Sequence, residues 1–398
     1  MKRRITCMLL ALCLLLCGCN IDGKKDYTKT EDLDEATLQG MAKDITKEMT
    51  LKQKIGQLFM VSMYSLDDSG SKNQTKITGT MKKTMKKYPV GGIILFSKNV
   101  SSEKQLKQLT KDLQSVSHVP LFIAADEEGG NVSRIASKLP DAVSQYPDAR
   151  EIGETYTDRQ IAKMGKEQSR QLKALGINMN LAPVADVLSN QYNTEVGNRA
   201  FGSDAKEVAA VVKTLVKNMQ KQQISATLKH FPGSGDALGD THRGAAETRQ
   251  SIQELRKKEF LPFESGMDAD ADAVMVSHLI LTNVTDEKEP CSLSERVISD
   301  ILRDELEHEG LILTDAMNMN SITDSYTSGE AAVKAIKAGV NIVVMPEDLG
   351  QAFKAVKRAV KDGKIEESVI DKAVRRILYT KLKRGVIPPD TKLLEDNQ

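Results

Sequence analysis

Eight short, mostly apolar runs alternate along this chain with charged stretches of helical period, and that alternation restricts its fold most. The runs cover 56–62, 92–96, 121–125, 178–181, 225–228, 273–277, 311–314 and 341–345. Runs this short and this apolar suit parallel strands covered on both faces. The stretches between them predict helices at 103–116, 158–175, 206–222, 252–268, 294–308, 329–338 and 349–361, with 38–49 ahead of the series and 368–384 closing it. An α/β (β/α)₈ TIM barrel satisfies this order, and a doubly wound open sheet is the alternative. The placement of titratable residues favours the barrel. Asp126 and Glu127 follow the third run, Lys229 and His230 end the fifth, His278 the sixth, Asp315 the seventh, and Pro346-Glu347 the eighth. In a barrel these positions converge on one face, whereas an open sheet strings them along an edge. One catalytic domain over 38–388 is the expectation, with a polar tail over 389–398.

The first residues, Met1-Lys2-Arg3-Arg4, are basic and lead into an apolar run over 8–16. That is the pattern of a secretory signal and is too short for a membrane span. Leu16-Cys17-Gly18-Cys19 resembles a bacterial lipobox, which implies removal of 1–18, a diacylglycerol on Cys19 and a lipid-anchored tether over 19–37. A plain signal peptide or an uncleaved anchor is the alternative. The lipobox reading places the protein on the extracytoplasmic face of the cell membrane, held there by its lipid alone. Four of the five cysteines lie in this leader, leaving Cys291 in the body. No disulfide framework or cysteine metal cluster follows from that, so stability must come from the core. The net charge is +1, with acids and bases interleaved and no basic stripe, which argues against nucleic acid as a partner. Tryptophan is absent. If the chain handles sugars, so few aromatic platforms predict a small polar pocket rather than a long cleft.

The loop 229–244 carries four glycines and two of the chain's five histidines. Ordering so many glycines is entropically costly, which marks the loop as functional rather than an incidental turn. Asp240 and His242 are spaced so that a carboxylate can orient an imidazole. His230, Asp236, Asp240 and His242 could alternatively ligate a metal, but their spacing matches no ligand pattern. No metal or cofactor is expected, since nucleotide-binding glycine motifs and a nucleophile elbow are also absent from the sequence. Asp126-Glu127-Glu128 puts three carboxylates in a row, which need cations or hydroxyls unless they form a solvated turn. Arg199 offers forked donors for hydroxyls or a carboxylate, or a surface ion pair. Asp315 is placed as a nucleophile or as a helix N-cap. His278 is a site residue or a hydrogen-bonded core imidazole.

Together, Lys54-Ile55-Gly56-Gln57-Leu58-Phe59, Gly91-Gly92-Ile93-Ile94-Leu95-Phe96, the Asp126 block, Ala182-Pro183-Val184-Ala185-Asp186-Val187, Gly197-Asn198-Arg199-Ala200-Phe201-Gly202, the 229–244 loop and Leu313-Thr314-Asp315-Ala316-Met317 resemble glycoside hydrolase family 3, in its β-N-acetylhexosaminidase branch. The resemblance implies a (β/α)₈ barrel, here in the single-domain form. It implies that Asp240 and His242 form the general acid/base dyad, that Asp315 is the nucleophile, and that Asp126, Arg199, Lys229 and His230 bind sugar. Serine stands at 234 where the family usually has histidine, alanine at 237 where it has threonine, and asparagine at 131 where it has arginine. The implied activity is that of a monomeric, retaining exo-β-N-acetylglucosaminidase acting on GlcNAc-containing muropeptides from peptidoglycan. Phosphorolysis and non-catalytic muropeptide binding are the alternatives.

Overall fold

Every apolar run contributes a strand, and only β5 extends beyond its run: β1 (Phe59–Ser62), β2 (Gly92–Ile94), β3 (Phe122–Ala125), β4 (Met179–Asn180), β5 (Ser225–Phe231), β6 (Ala273–Val276), β7 (Leu311–Thr314) and β8 (Val343–Val344). The computed structural model describes residues 33–67, 74–237, 239–285, 288–389 and 391. The expected signal segment, Cys19, most of the tether and most of the tail lie outside them. The strands pair in parallel in the order β7-β6-β5-β4-β3-β2-β1-β8. Leu313 bridges to Ile342 in parallel, and the Val344 amide donates to Thr314 Oγ1 at 3.0 Å, so β7 meets β8 and the sheet closes. This is the (β/α)₈ barrel; an open sheet would leave two edges. All strand residues are buried, as runs covered by side chains within and helices without require.

The surrounding helices are α1 (Glu35–Glu48), α2 (Leu51–Gln57), α3 (Gly79–Lys87), α4 (Glu103–Ser115), α5 (Ala149–Thr155), α6 (Asp158–Ala174), α7 (Ala205–Gln220), α8 (Ile252–Lys257), α9 (Phe260–Met267), α10 (Arg296–Glu305, with the wider π-type winding), α11 (Ser328–Ala338), α12 (Leu349–Lys361) and α13 (Glu367–Lys383). Several boundaries differ from the sequence expectation. Asp34 accepts from the Thr37 amide at 2.7 Å and starts α1 at Glu35, so residues 35–37 are helical rather than tether. Thr50 and Gln53 form a capping box that carries α2 through Gly56 and Gln57, and β1 begins only at Phe59. The single helix expected over 252–268 is two, broken at Lys258. Pro262 falls in the first turn of α9, where a missing N–H costs nothing. The expectation missed α3, whose buried face consists of Met81 and Met85 amid lysines, and the short α5.

The barrel floor is closed by α13 and the residues just past it. Lys381 is fully buried, donates to Gln57 Oε1 at 2.8 Å and to the Gly91 carbonyl at 2.9 Å, and lies over the Phe122 ring. Arg384 forms a two-pronged bond with Asp272. These contacts secure the N-terminal ends of the strands and leave the opposite end free for chemistry.

Candidate active site

Asp126 leaves β3 at the C-terminal mouth, followed by a hairpin that pairs Glu127–Gly129 with Val132–Ser133. The three adjacent carboxylates have three separate environments. Glu127 turns inward and accepts from the Ser133 hydroxyl and from the Ile135 amide at 2.7 Å. Burial nonetheless raises its carboxyl above the ordinary range. Glu128 accepts from Arg199 Nε at 2.9 Å and Nη2 at 2.8 Å, a two-pronged geometry, and lies 2.6 Å from Lys229 Nζ. Burial alone would raise the Glu128 carboxyl, but these two cations outweigh it and hold the group far below the usual carboxylate range. Asp126 takes the other side of Lys229, at 2.7 Å. So this is no solvated turn: two carboxylates and two cations interlock across the mouth.

Strand β5 contributes consecutive residues to that network. Its register against β6 shifts between Lys229 and Phe231, and both Lys229 and His230 line the cavity. His230 Nδ1 lies 2.7 Å from Asp186 Oδ2, and Arg199 Nη2 lies 3.3 Å from His230 Nε2. Arginine can only donate, so Nε2 accepts and Nδ1 carries the proton given to Asp186. The buried Asp186 also accepts from the His230 and Ser234 amides, at 3.2 and 2.7 Å. One carboxylate thus fixes both the imidazole and the start of the glycine-rich loop.

Asp315 ends β7, its amide bonded to the Val276 carbonyl at 2.9 Å and its Oδ1 accepting from the Ala316 amide at 2.7 Å. The next helical turn, Asn320–Thr323, has Met319 as its N-cap, so Asp315 caps no helix. Burial would raise the Asp315 carboxyl, but His230, His278, the Ala316 amide and Lys229 lower it below the ordinary value. The group is a half-buried carboxylate held in its anionic form near the Lys229 ammonium, as a nucleophilic carboxylate requires. His278 resolves as a positioning residue. Its Nε2 donates to the Ala316 carbonyl at 3.0 Å, its Nδ1 faces the Ser292 hydroxyl at 2.7 Å, and burial lowers the imidazole below its ordinary value.

His242 stands at the rim with its side chain 61% exposed. Its Nδ1 is 3.2 Å from Asp240 Oδ1, and Asp240 also accepts from the His242 amide at 2.9 Å. Asp240 shares this task. Glu195 Oε1 lies 3.5 Å from the same nitrogen, while Glu195 also accepts from the Thr241 amide at 2.9 Å and from the Thr241 hydroxyl. Glu195 contributes most to raising the imidazole above its ordinary value; burial opposes this, and Asp315 and Asp240 add to it. Glu195, Asp240 and His242 bring ligand atoms within 4.8 Å of one another, a set able to hold a cation. Hydrogen bonding to His242 and Thr241 already accounts for that convergence. Asp236 lies apart, accepting from the Thr248 hydroxyl at 2.8 Å.

The cavity measures about 400 Å³ and is lined by Asp126, Glu128, Arg199, Lys229, His230, His242 and Asp315. Of the residues expected at the site, Asp240 is absent from this lining and Glu347 does not reach it. Sequence reasoning named no site role for Asp186, Glu195 and Arg134 and none specific to Glu128, although Glu128, Asp186 and Arg134 lie inside motifs it had quoted. Arg134 enters the cavity with its guanidinium 5.9 Å from the Phe96 ring centre, and Glu195 bore no local signal. The three departures from the family pattern fall outside the lining. Ser234 and Ala237 are buried within the loop, and Asn131 is exposed at the hairpin tip.

The model of the glycosyl hydrolase family 3 N-terminal domain matches residues 50–380. A β-hexosaminidase of Stenotrophomonas maltophilia (strain R551-3) is 34% identical over 71% of this chain and 84% of that protein. The solved structure of a family 3 β-N-acetylglucosaminidase from Paenibacillus sp. str. FPU-7 has 34% identity and a TM-score of 0.80, over 85% of this chain and 63% of that one. This chain therefore spans less than two thirds of that solved protein. The solved LpqI of M. tuberculosis, at 26% identity and a TM-score of 0.74, matches over 84% of this chain and 95% of its own. With the barrel, the carboxylate at the end of β7 and the histidine on the rim loop already in place, this chain belongs to glycoside hydrolase family 3.

Proposed function

We propose that the protein is a retaining exo-β-N-acetylglucosaminidase that removes terminal β-GlcNAc from peptidoglycan fragments. The observation that carries this reading is the pairing of a half-buried anionic carboxylate, Asp315, with a rim imidazole, His242, around a single small cavity. Asp315 attacks the anomeric carbon while His242 protonates the departing glycosidic oxygen, giving a glycosyl-aspartate. His242, now neutral, takes a proton from water, which opens the intermediate with overall retention. Asp240 and Glu195 keep Nδ1 protonated, so Nε2 faces the reaction, and they stabilise the imidazolium. Asp126, Lys229, His230 and Arg199 hold the sugar hydroxyls and acetamide. A cavity of about 400 Å³ lies near the lower end of small-ligand pockets, about 300–1,000 Å³, and suits one terminal sugar. The leader's lipobox pattern supports a protein held by lipid at the extracytoplasmic face of the membrane, where wall fragments arise.

Turnover of aryl β-GlcNAc against aryl β-glucoside tests the reading, with the chain starting at Cys19 and that cysteine replaced. Rapid release from the GlcNAc substrate alone is expected. Release from the glucoside alone would remove the specificity claim, and binding of muropeptides without release from either would leave a non-catalytic lipoprotein. An imidazole rather than a carboxylate at the rim also suits phosphate as acceptor, because it adds no negative charge of its own. Formation of sugar 1-phosphate when phosphate is present would favour that second reading.

A further inference from the structure

The charge pattern that the sequence lacks is assembled by the fold. Helix α3 carries four lysines and no acid within its span, and α12 carries three lysines and an arginine, again without an acid. The chain's net charge is only +1. These helices follow β1 and β8, which are neighbours in the barrel. Tyr88, the C-cap of α3, packs at a tilt against Phe353 of α12 with ring centres 5.2 Å apart, and Lys52 donates to the Lys86 carbonyl at 2.9 Å from α2 beside them. Lys82, Lys83, Lys86 and Lys87 are exposed, as are Lys354 and Arg358. Acids border this face rather than interrupt it: Asp362 lies 3.4 Å from Arg358, and Asp348 caps α12. The expectation of no basic stripe therefore holds along the sequence and fails on the surface.

We propose that this flank docks against an anionic phospholipid bilayer. Lysine dominates it, and a compact hydrated ammonium suits diffuse attraction to many headgroup phosphates better than a fixed two-pronged bond. The large hydrophobic residues exposed among the described residues, Tyr64, Tyr192 and Val369, lie on neither helix, so the contact is electrostatic and superficial. The helices form the barrel's outer wall, so docking on them leaves the cavity mouth at the barrel end open to substrate. The proposal rests on the lipid anchoring proposed above, which puts a bilayer beside the chain.

Lysine acylation of the full chain mixed with vesicles, read by mass spectrometry, tests this. On phosphatidylcholine vesicles containing phosphatidylglycerol, labelling of Lys82, Lys83, Lys86 and Lys354 should fall several-fold relative to phosphatidylcholine alone, and high salt should restore it. Lys163 on α6 serves as the internal reference. A lipid anchor holds the chain equally to both vesicles, so the comparison isolates headgroup charge. Lys83→Glu/Lys86→Glu should abolish protection at Lys354 and leave turnover of the aryl substrate unchanged. Equal labelling on both vesicle types would overturn the proposal. So would protection by a soluble phosphodiester polymer and not by vesicles, which would assign the face to a wall polymer.

Discussion

Replacing Lys229 with methionine tests whether charge balance holds the cavity together. The ammonium lies 2.7 Å from Asp126 and 2.6 Å from Glu128, and its side chain is 2% exposed. With Arg199, these groups form two anions and two cations. Methionine keeps most of the volume and removes one positive charge. Glu128 retains its two bonds from Arg199, while Asp126 is left facing Arg134 at 3.9 Å. Removing one partner of a buried pair costs about 3–5 kcal/mol, and the lower end applies because Arg199 remains. Against a total stability of about 5–15 kcal/mol, that loss is large. Glu128→Gln should cost a similar amount by leaving Lys229 and Arg199 in excess. The double variant restores the balance between Asp126 and Arg199, so a coupling of about 2 kcal/mol or more is expected. Urea unfolding of the wild type, both single variants and the double variant measures this, provided that the m-values agree. Single effects that simply add would refute the reasoning. The pH dependence has a fixed sign as well. Lys229 and Arg199 overcome burial and lower the Glu128 carboxyl, so its contribution is present above the ordinary carboxylate range and disappears as the pH falls below it. Lys229→Met should therefore begin acid unfolding at a higher pH.

Other outcomes follow from single groups. Asp315→Asn should lower kcat by at least about a thousandfold with the thermal unfolding profile retained, since an amide cannot form the glycosyl-enzyme. His242→Ala should cost about 10²- to 10⁴-fold in kcat/KM, least for substrates with good leaving groups, which need little protonation. Glu195→Gln should move the alkaline limb of kcat/KM to lower pH, because Glu195 leads in raising the His242 imidazole. The buried Glu259, bonded to Ser189 and Gln250 and pushed up to about 7 by desolvation, gives an opposite stability effect. A raised carboxyl contributes stability that is full below the ordinary carboxylate range and lost as the pH rises to about 7. The loss is about 3 kcal/mol at about 1.4 kcal/mol per pH unit. Glu259→Gln should flatten the difference in urea midpoint between acidic and neutral pH.

The barrel was legible because its strands are buried on both faces, and a continuous apolar run is a strong local signal. Strand ends were less legible. Gly56 and Gln57 read as the start of β1, yet the capping box at Thr50 claims them for α2. Propensity at those two positions is weak, and a bond made six residues earlier decides the outcome. At the site, residues on strand ends could be found from sequence because the fold itself carries them to one face. That is true of Asp126, Lys229, His230 and Asp315, all of which line the cavity.

Residues that act through another residue were not legible in this way, and His242 shows why. Its sequence neighbour Asp240 was visible at a spacing of two. Glu195 reaches the same nitrogen from the long segment after β4, tied to the loop through Thr241, and nothing at position 195 in the sequence distinguishes it from a surface acid. The cationic flank is invisible for the same reason, because its halves lie near opposite ends of the chain and meet only when β8 pairs with β1. In both cases the charge that matters is set by which strands lie side by side rather than by local pattern. If that is correct, Glu195→Gln will shift the pH profile more than Asp240→Asn, although Asp240 is the nearer residue in sequence. Kinetic pH profiles of the two variants decide it: a larger shift for Asp240→Asn would return the orienting role to the local motif.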